Sequence, residues 1–162
     1  MSNNRIEVNI DQQRLRYFQG QDVLMDVAVS TATNGPGEQN GSECTPRGQH
    51  YIRAKIGANC QTDTVFVARR PTGEIFTEDM RKENPQRDWI LTRILWLCGL
   101  EPGKNRLGPV DTMRRYIYIH GCPEKDEMGQ PNSHGCVKMR NKDIIALFDM
   151  VDVGTHVYII EK

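Results

Sequence analysis

RYIYIHGCPEKDEMGQPNSHGCVKMRN, residues 115–141, is the most informative stretch of the chain. Its first six residues, Arg115–His120, run through Tyr116, Ile117, Tyr118 and Ile119, a mix of aromatic and β-branched side chains that predicts a central strand. The strand is expected to stop at His120–Gly121–Cys122–Pro123, and Glu124–Asn132 reads as a polar connector. A turn follows, Ser133–His134–Gly135–Cys136. Next comes a helix that Asn141 is expected to cap, running to about Met150 with Ile144, Ile145, Leu147, Phe148 and Val151 on one side.

Outward from this stretch the pattern is that of strands. Ile6, Val8 and Ile10 alternate with Glu7 and Asn9, which predicts a half-buried strand. Leu15–Phe18 is its expected hairpin partner across the polar turn Asp11–Gln13, and Val23–Ser30 a third strand. Thr31–Gly48, dense in Gly, Asn, Pro, Ser and Thr, reads as a long functional surface loop leading into a strand at Tyr51–Ile56. Thr64–Arg69 predicts another strand, Pro71–Gly73 a turn, and the charged Glu78–Asp88 a solvated surface. Trp89–Leu97 is apolar at nearly every position, and its β-branched and aromatic content favours a strand over a helix. Gly154 and a closing strand at His156–Ile160 complete the reading: a mainly β domain with one C-terminal helix.

Composition narrows the function classes. The 162 residues suit one domain spanning 1–162 with a single core. Lys+Arg and Asp+Glu each number 21, so the net charge is zero, which speaks against a dedicated nucleic-acid binder. No apolar run approaches a membrane span, and the first thirty residues show no signal-peptide stretch, so a cytoplasmic protein is expected. Five cysteines, Cys44, Cys60, Cys98, Cys122 and Cys136, fit no disulfide framework and are expected to be free thiols.

One of those thiols is placed for chemistry. Cys136 sits in a polar, Gly-containing turn, with His120 at the end of a nearby strand. An imidazole can take the proton of a thiol as it attacks a carbonyl and later protonate the leaving amine. Gly135 lets the backbone approach closely and aims adjacent N–H groups at an oxyanion. Other readings stay open on spacing alone. Cys136 could be a structural thiol, His120 a satisfied strand-end histidine and His134 a turn residue. Cys122, Cys136, His120 and His134 could also make a zinc site, although they lack a compact paired-Cys pattern and a water-activating Glu. Arg114–Arg115 and Arg69–Arg70 could meet a substrate carboxylate, with solvated surface the blander alternative. Cys122 reads as structural, and His50 and His156 as incidental.

IHG at 119–121 followed by SHGCVKMRN at 133–141 resembles the active-site signature of the YkuD-type L,D-transpeptidase family. The resemblance extends to IEVNIDQQRLRYF, to VAVSTA with CTPRGQHYIRAKIG, and to the closing helix with GTHVYI. It implies the family's mixed β-sandwich-like fold, with Cys136 as nucleophile, His120 as base, the Gly121 carbonyl orienting the imidazole, and the His134–Gly135–Cys136 backbone at the oxyanion. Ser133, Lys138 and Arg115 are the expected substrate-side residues, with Ser133 chiefly anchoring the turn. Two departures stand out: only twelve residues separate His120 from Ser133, and Lys138 stands where the family usually has Arg or Asn.

The resemblance implies acyl transfer from peptidoglycan stem tetrapeptides through a thioester, with no metal or organic cofactor. The lack of an export signal leads to the expectation of an L,D-carboxypeptidase trimming soluble muropeptides in cell-wall recycling. An L,D-transpeptidase and a non-catalytic fragment-binding module are the alternatives. Carbapenem acylation of Cys136 is a further implication.

Overall fold

The computed structural model describes residues 3–162. Among these residues ten strands form one continuous mixed sheet. They are β1 (Asn4–Asn9), β2 (Arg14–Gln19), β3 (Asp22–Ala28), β4 (Gly48–Ile56), β5 (Thr64–Val67), β6 (Arg70–Ile75), β7 (Ile90–Gly99), β8 (Tyr118–Gly121), β9 (Val137–Met139) and β10 (His156–Ile160). Two helices accompany them, α1 (Glu78–Glu83) and α2 (Asn141–Met150). The strand order is β3-β2-β1-β10-β4-β7-β5-β6, and β8 branches off β7 to pair with β9. The β1–β10 and β8–β9 pairs are parallel, so the chain's end and its cysteine turn are each laid beside an earlier strand.

Alternation explains the core. Ile6 and Val8 of β1, Leu15 and Tyr17 of β2, and Val157 and Ile159 of β10 point to one side and meet Ile144, Leu147 and Phe148 of α2. Burying each such side chain contributes roughly 1.5–3 kcal/mol. The long apolar run resolves as β7, whose neighbours β4, β5 and β8 cover it so thoroughly that even Thr92 and Arg93 are buried. At Thr92 the strand takes φ 77, and its pairing register with β8 slips there, between Leu91 and Ile94. A buried β-branched residue in the left-handed region is strained. Here the strain accompanies the bulge at which the sheet forks, and the fork brings β8 and its terminal His120 into place.

Several expectations need correction. Pro71–Gly73 is not a turn but part of β6; the hairpin turns two residues earlier, at Ala68–Arg69. The predicted strand at Arg115–His120 begins only at Tyr118, because Tyr116 takes φ 57 inside a hydrogen-bonded turn. Asn141 does not cap α2: Arg140 occupies the N-cap without a side-chain bond, and Asn141 lies inside the first turn. Charged Glu78–Asp88 is indeed without buried residues in α1, yet it is ordered as a helix capped by Thr77, whose hydroxyl accepts from Met80 N–H.

Thr31–Gly48, expected as a surface loop, is also not solvated throughout, nor is Ser30 before it. Ser30, Thr31, Ala32 and Thr45 are fully buried. Their polar groups are paired with residues 133–138: Ser30 exchanges two backbone bonds with Lys138, and Thr31 and Thr33 bond Ser133. The segment is a strap behind the cysteine turn.

His50 is likewise structural. Its ring is fully buried between the Gly48 carbonyl and the Thr112 hydroxyl, both at 3.0 Å. Burial drives its pKa down from 6.5 to about 4. A depressed histidine binds its proton more tightly in the unfolded chain, so its stabilising contribution is present above pH 6.5 and lost as pH falls toward 4. The loss expected from His50 is about 3 kcal/mol. Denaturant unfolding between pH 7 and 4 checks this, with a His50→Gln variant expected to be less stable at pH 7 but flatter across that window.

Candidate active site

A cleft of about 470 Å³ opens at the ends of β8 and β9, with Cys136, His120, His134, Ser133, Lys138 and Arg115 all on its walls. The sequence signature is therefore brought together in space. The β8–β9 pairing sets His120 opposite Lys138, two residues beyond the cysteine.

The backbone holds the sulfur. Tyr118 N–H donates to Cys136 Sγ at 3.3 Å, and the thiol in turn donates to the Tyr116 carbonyl at 3.5 Å. The left-handed turn at Tyr116 is what allows a strand residue and its predecessor to present a donor and an acceptor to the same sulfur. A carbonyl beside the sulfur suits a protonated thiol. Burial agrees, pushing the Cys136 pKa up to about 12 against the opposing effect of the Tyr118 N–H.

His120 is almost wholly buried, and its Nδ1 lies 2.6 Å from the Gly121 carbonyl. A carbonyl can only accept, so Nδ1 carries the proton and Nε2 is left as the basic nitrogen. Burial lowers the pKa of His120, with Asp88 and the Gly121 carbonyl partly opposing it. Both shifts favour the neutral forms, thiol and imidazole, over thiolate and imidazolium.

What stands behind Gly121 was not legible in advance. A Cβ there would collide with Asn141 Oδ1 and lie 2.7 Å from the Leu91 carbonyl, so only glycine fits. Asn141 is fixed in turn, accepting from Thr92 Oγ1 at 2.7 Å and donating to Asp63 and Glu124. The strained bulge of β7 and the first turn of α2 therefore brace the carbonyl that orients His120.

The cysteine turn has its own supports. Ser133 Oγ donates to the Cys136 carbonyl at 2.6 Å and accepts from Gly135 N–H at 3.2 Å, so it closes the turn on itself. Gly135 adopts φ 130, and a Cβ would press on Ile117 and the Cys44 carbonyl. Thr45 of the strap donates to the Gly135 carbonyl at 2.9 Å. His134 is exposed at the rim.

Two of the expected substrate-side cations are engaged by the protein. Lys138 Nζ lies 2.7 Å from Asp126 and 2.9 Å from Asn132, which ties the 123–132 connector over the site and neutralises the lysine. Arg115 is half-buried and donates to the carbonyls of Cys44 and Gly37, at 2.7 and 3.3 Å, holding the strap. Cys122 is buried with its thiol on the Met139 carbonyl, and burial pushes its pKa up to about 12; it does not line the cleft. Among the described residues all five cysteines are free, no three His, Cys, Asp or Glu side chains converge to hold a metal, and no helix is long and apolar enough to cross a membrane.

Comparison with known proteins places these features. Residues 3–159 match the YkuD family, the L,D-transpeptidase catalytic domain. A 48-residue stretch is 46% identical to the probable L,D-transpeptidase YbiS of Escherichia coli K12, covering 30% of this chain and 16% of that protein. This chain therefore spans about a sixth of the length of that relative. In solved structures, L,D-transpeptidase 3 of Mycobacterium tuberculosis, seen with a faropenem-derived adduct, superposes with a TM-score of 0.61 at 14% identity, covering 99% of this chain and 61% of that one. An L,D-transpeptidase from Mycobacterium smegmatis gives 0.59 at 17% identity, covering 98% and 58%.

Proposed function

Because the chain belongs to the YkuD family of L,D-transpeptidase catalytic domains, we propose that it transfers the acyl group of a peptidoglycan stem tetrapeptide through a thioester on Cys136. The observation that carries this reading is the presence, on one cleft, of the Cys136 thiol and of the His120 imidazole, whose Nδ1 is pinned on the Gly121 carbonyl. Cys136 Sγ attacks the carbonyl on the L-centre of the third residue while its proton passes to His120 Nε2. Backbone N–H groups of the His134–Cys136 turn stabilise the oxyanion; that of Gly135 is already committed to Ser133. The tetrahedral species collapses, its C–N bond breaks, and His120 returns the proton to the departing D-Ala amine.

The acceptor decides the name of the reaction. An amine gives L,D-transpeptidation, and water gives the tripeptide product of an L,D-carboxypeptidase. Hydrolysis is the expectation from the sequence. The names of the relatives favour the amine, and we take transpeptidation as the leading reading. The same thiol is the proposed point of acylation by penem and carbapenem rings.

Mass spectrometry of a disaccharide-tetrapeptide incubated with the protein and an added D-amino acid tests this. Exchange product in excess over tripeptide is the expected result. Tripeptide alone would make the protein a carboxypeptidase. No D-Ala release from any stem peptide would overturn the substrate class.

A further inference from the structure

The mouth of the cleft is roofed by the β5–β6 hairpin, and its tip is unusual. Val67 pairs with Arg70, so the hairpin closes on just two residues, Ala68 and Arg69, with φ of 49° and 64°. Such a turn ordinarily uses Asn-Gly, because both positions lie in the left-handed region. Ala and Arg there carry a conformational cost that glycine would avoid, and both residues line the cleft. Backbone strain retained beside a site points to a side chain that must be delivered.

That side chain is Arg69. Its guanidinium lies 4.8 Å from the centroid of the Trp96 ring and 4.7 Å from that of Tyr116, and Nη1 donates to the Tyr118 hydroxyl at 3.0 Å. The platform is itself fixed: Tyr118 is buried, and Trp96 Nε1 donates to the Met113 carbonyl at 3.1 Å. Among the described residues Arg69 has no ion-pair partner, in contrast to Lys138, which Asp126 neutralises. It also differs from Arg115, which is spent on backbone carbonyls. Of the three cations on the cleft, Arg69 alone keeps a pre-aligned fork for an incoming anion. A planar guanidinium with donors to spare matches a carboxylate, which can take two parallel N–H bonds.

We propose that Arg69 binds a free carboxylate of the donor peptide and so sets donor specificity. The inference rests on the stem-peptide reading above. Two carboxylates could supply the chemistry: that of the terminal D-Ala, and the side-chain carboxylate of a diaminopimelate third residue. Calorimetric binding separates them. The Cys136→Ala protein, which cannot turn the donor over, is compared with Cys136→Ala carrying Arg69→Gln. Both are titrated with the diaminopimelate tetrapeptide, the same peptide amidated on the side-chain carboxylate, and the same peptide amidated at its C-terminus.

Arg69→Gln is expected to weaken binding of the parent peptide by about 10- to 100-fold. It should leave unchanged the affinity for whichever amide has lost the carboxylate that Arg69 holds. Arg69→Lys, keeping the charge without the fork, should lose less. An equal loss on all three peptides would mark a merely structural residue and overturn the proposal, as would no loss on the parent. A distorted cleft is covered by the same comparison, since it would lose every peptide alike. If Cys136→Ala itself binds none of the three, the stem-peptide reading falls and takes this inference with it. Tight binding that ignores Arg69 overturns the inference alone.

Discussion

Replacing Cys136 by alanine is expected to abolish D-Ala release, by at least about 10⁴-fold, while leaving the fold intact. The size follows from the chemistry. No neighbouring side chain on the cleft can substitute: Ser133 Oγ is committed to the Cys136 carbonyl and to Gly135 N–H, and Cys122 lies buried elsewhere with its thiol on Met139. The fold should tolerate the change because the sulfur's two partners are the backbone groups of Tyr116 and Tyr118. Losing these two weak thiol bonds costs about 1–3 kcal/mol. D-Ala release followed by mass spectrometry, with the unfolding midpoint as control, checks both halves.

His120→Gln carries the second large effect, a loss of about 10³-fold in kcat/KM. Burial favours the neutral thiol and imidazole, so the attacking thiol is expected to hand over a proton during attack. A thiol held near pKa 12 by burial is a poor nucleophile without a base. The pH profile separates this from a pre-formed thiolate. Burial keeps His120 below its ordinary value of 6.5, so its neutral form persists down to more acid solution. The rate is then expected to hold level from neutral pH and to fall only below about pH 6.5, as the imidazole takes up its proton. Glutamine, which cannot titrate, should erase that acid limb along with the rate. A wild-type rate that climbs through neutral pH in step with thiolate formation would contradict the neutral pair.

The parts of this protein that could be read from its sequence are those governed by local rules. Period-two alternation marked β1 and β2, and β-branched and aromatic content marked β7. The cysteine turn and its upstream histidine stood out because a thiol in a turn of Gly, Ser and His is not placed like a core cysteine. What was hidden depends on tertiary pairing. Tyr116 sits in a run of strand-forming residues, yet the need to present its carbonyl to the sulfur bends it into a turn. Thr31–Gly48 looks too polar to bury, and is buried in part because residues such as Ser133 satisfy its backbone.

Asn141 misled in a similar way. A short polar residue ahead of an amphipathic run resembles an N-cap, but its side chain turns instead to Thr92, Asp63 and Glu124 and braces Gly121. The turn at Ala68–Arg69 was masked by Pro71 and Gly73, stronger turn formers that lie inside β6. Nothing in Ala-Arg announces a left-handed pair. The residues that line the cleft were therefore legible, while the residues that position them were mostly not.

The most direct test of the account is the intact mass of the protein quenched in acid during turnover of a disaccharide-tetrapeptide. A mass increase equal to the tripeptide acyl group, mapped to Cys136 by fragmentation and removed by hydroxylamine as a thioester should be, is the predicted result. D-Ala release with the label on another residue, or turnover undiminished in the Cys136→Ala protein, would contradict it.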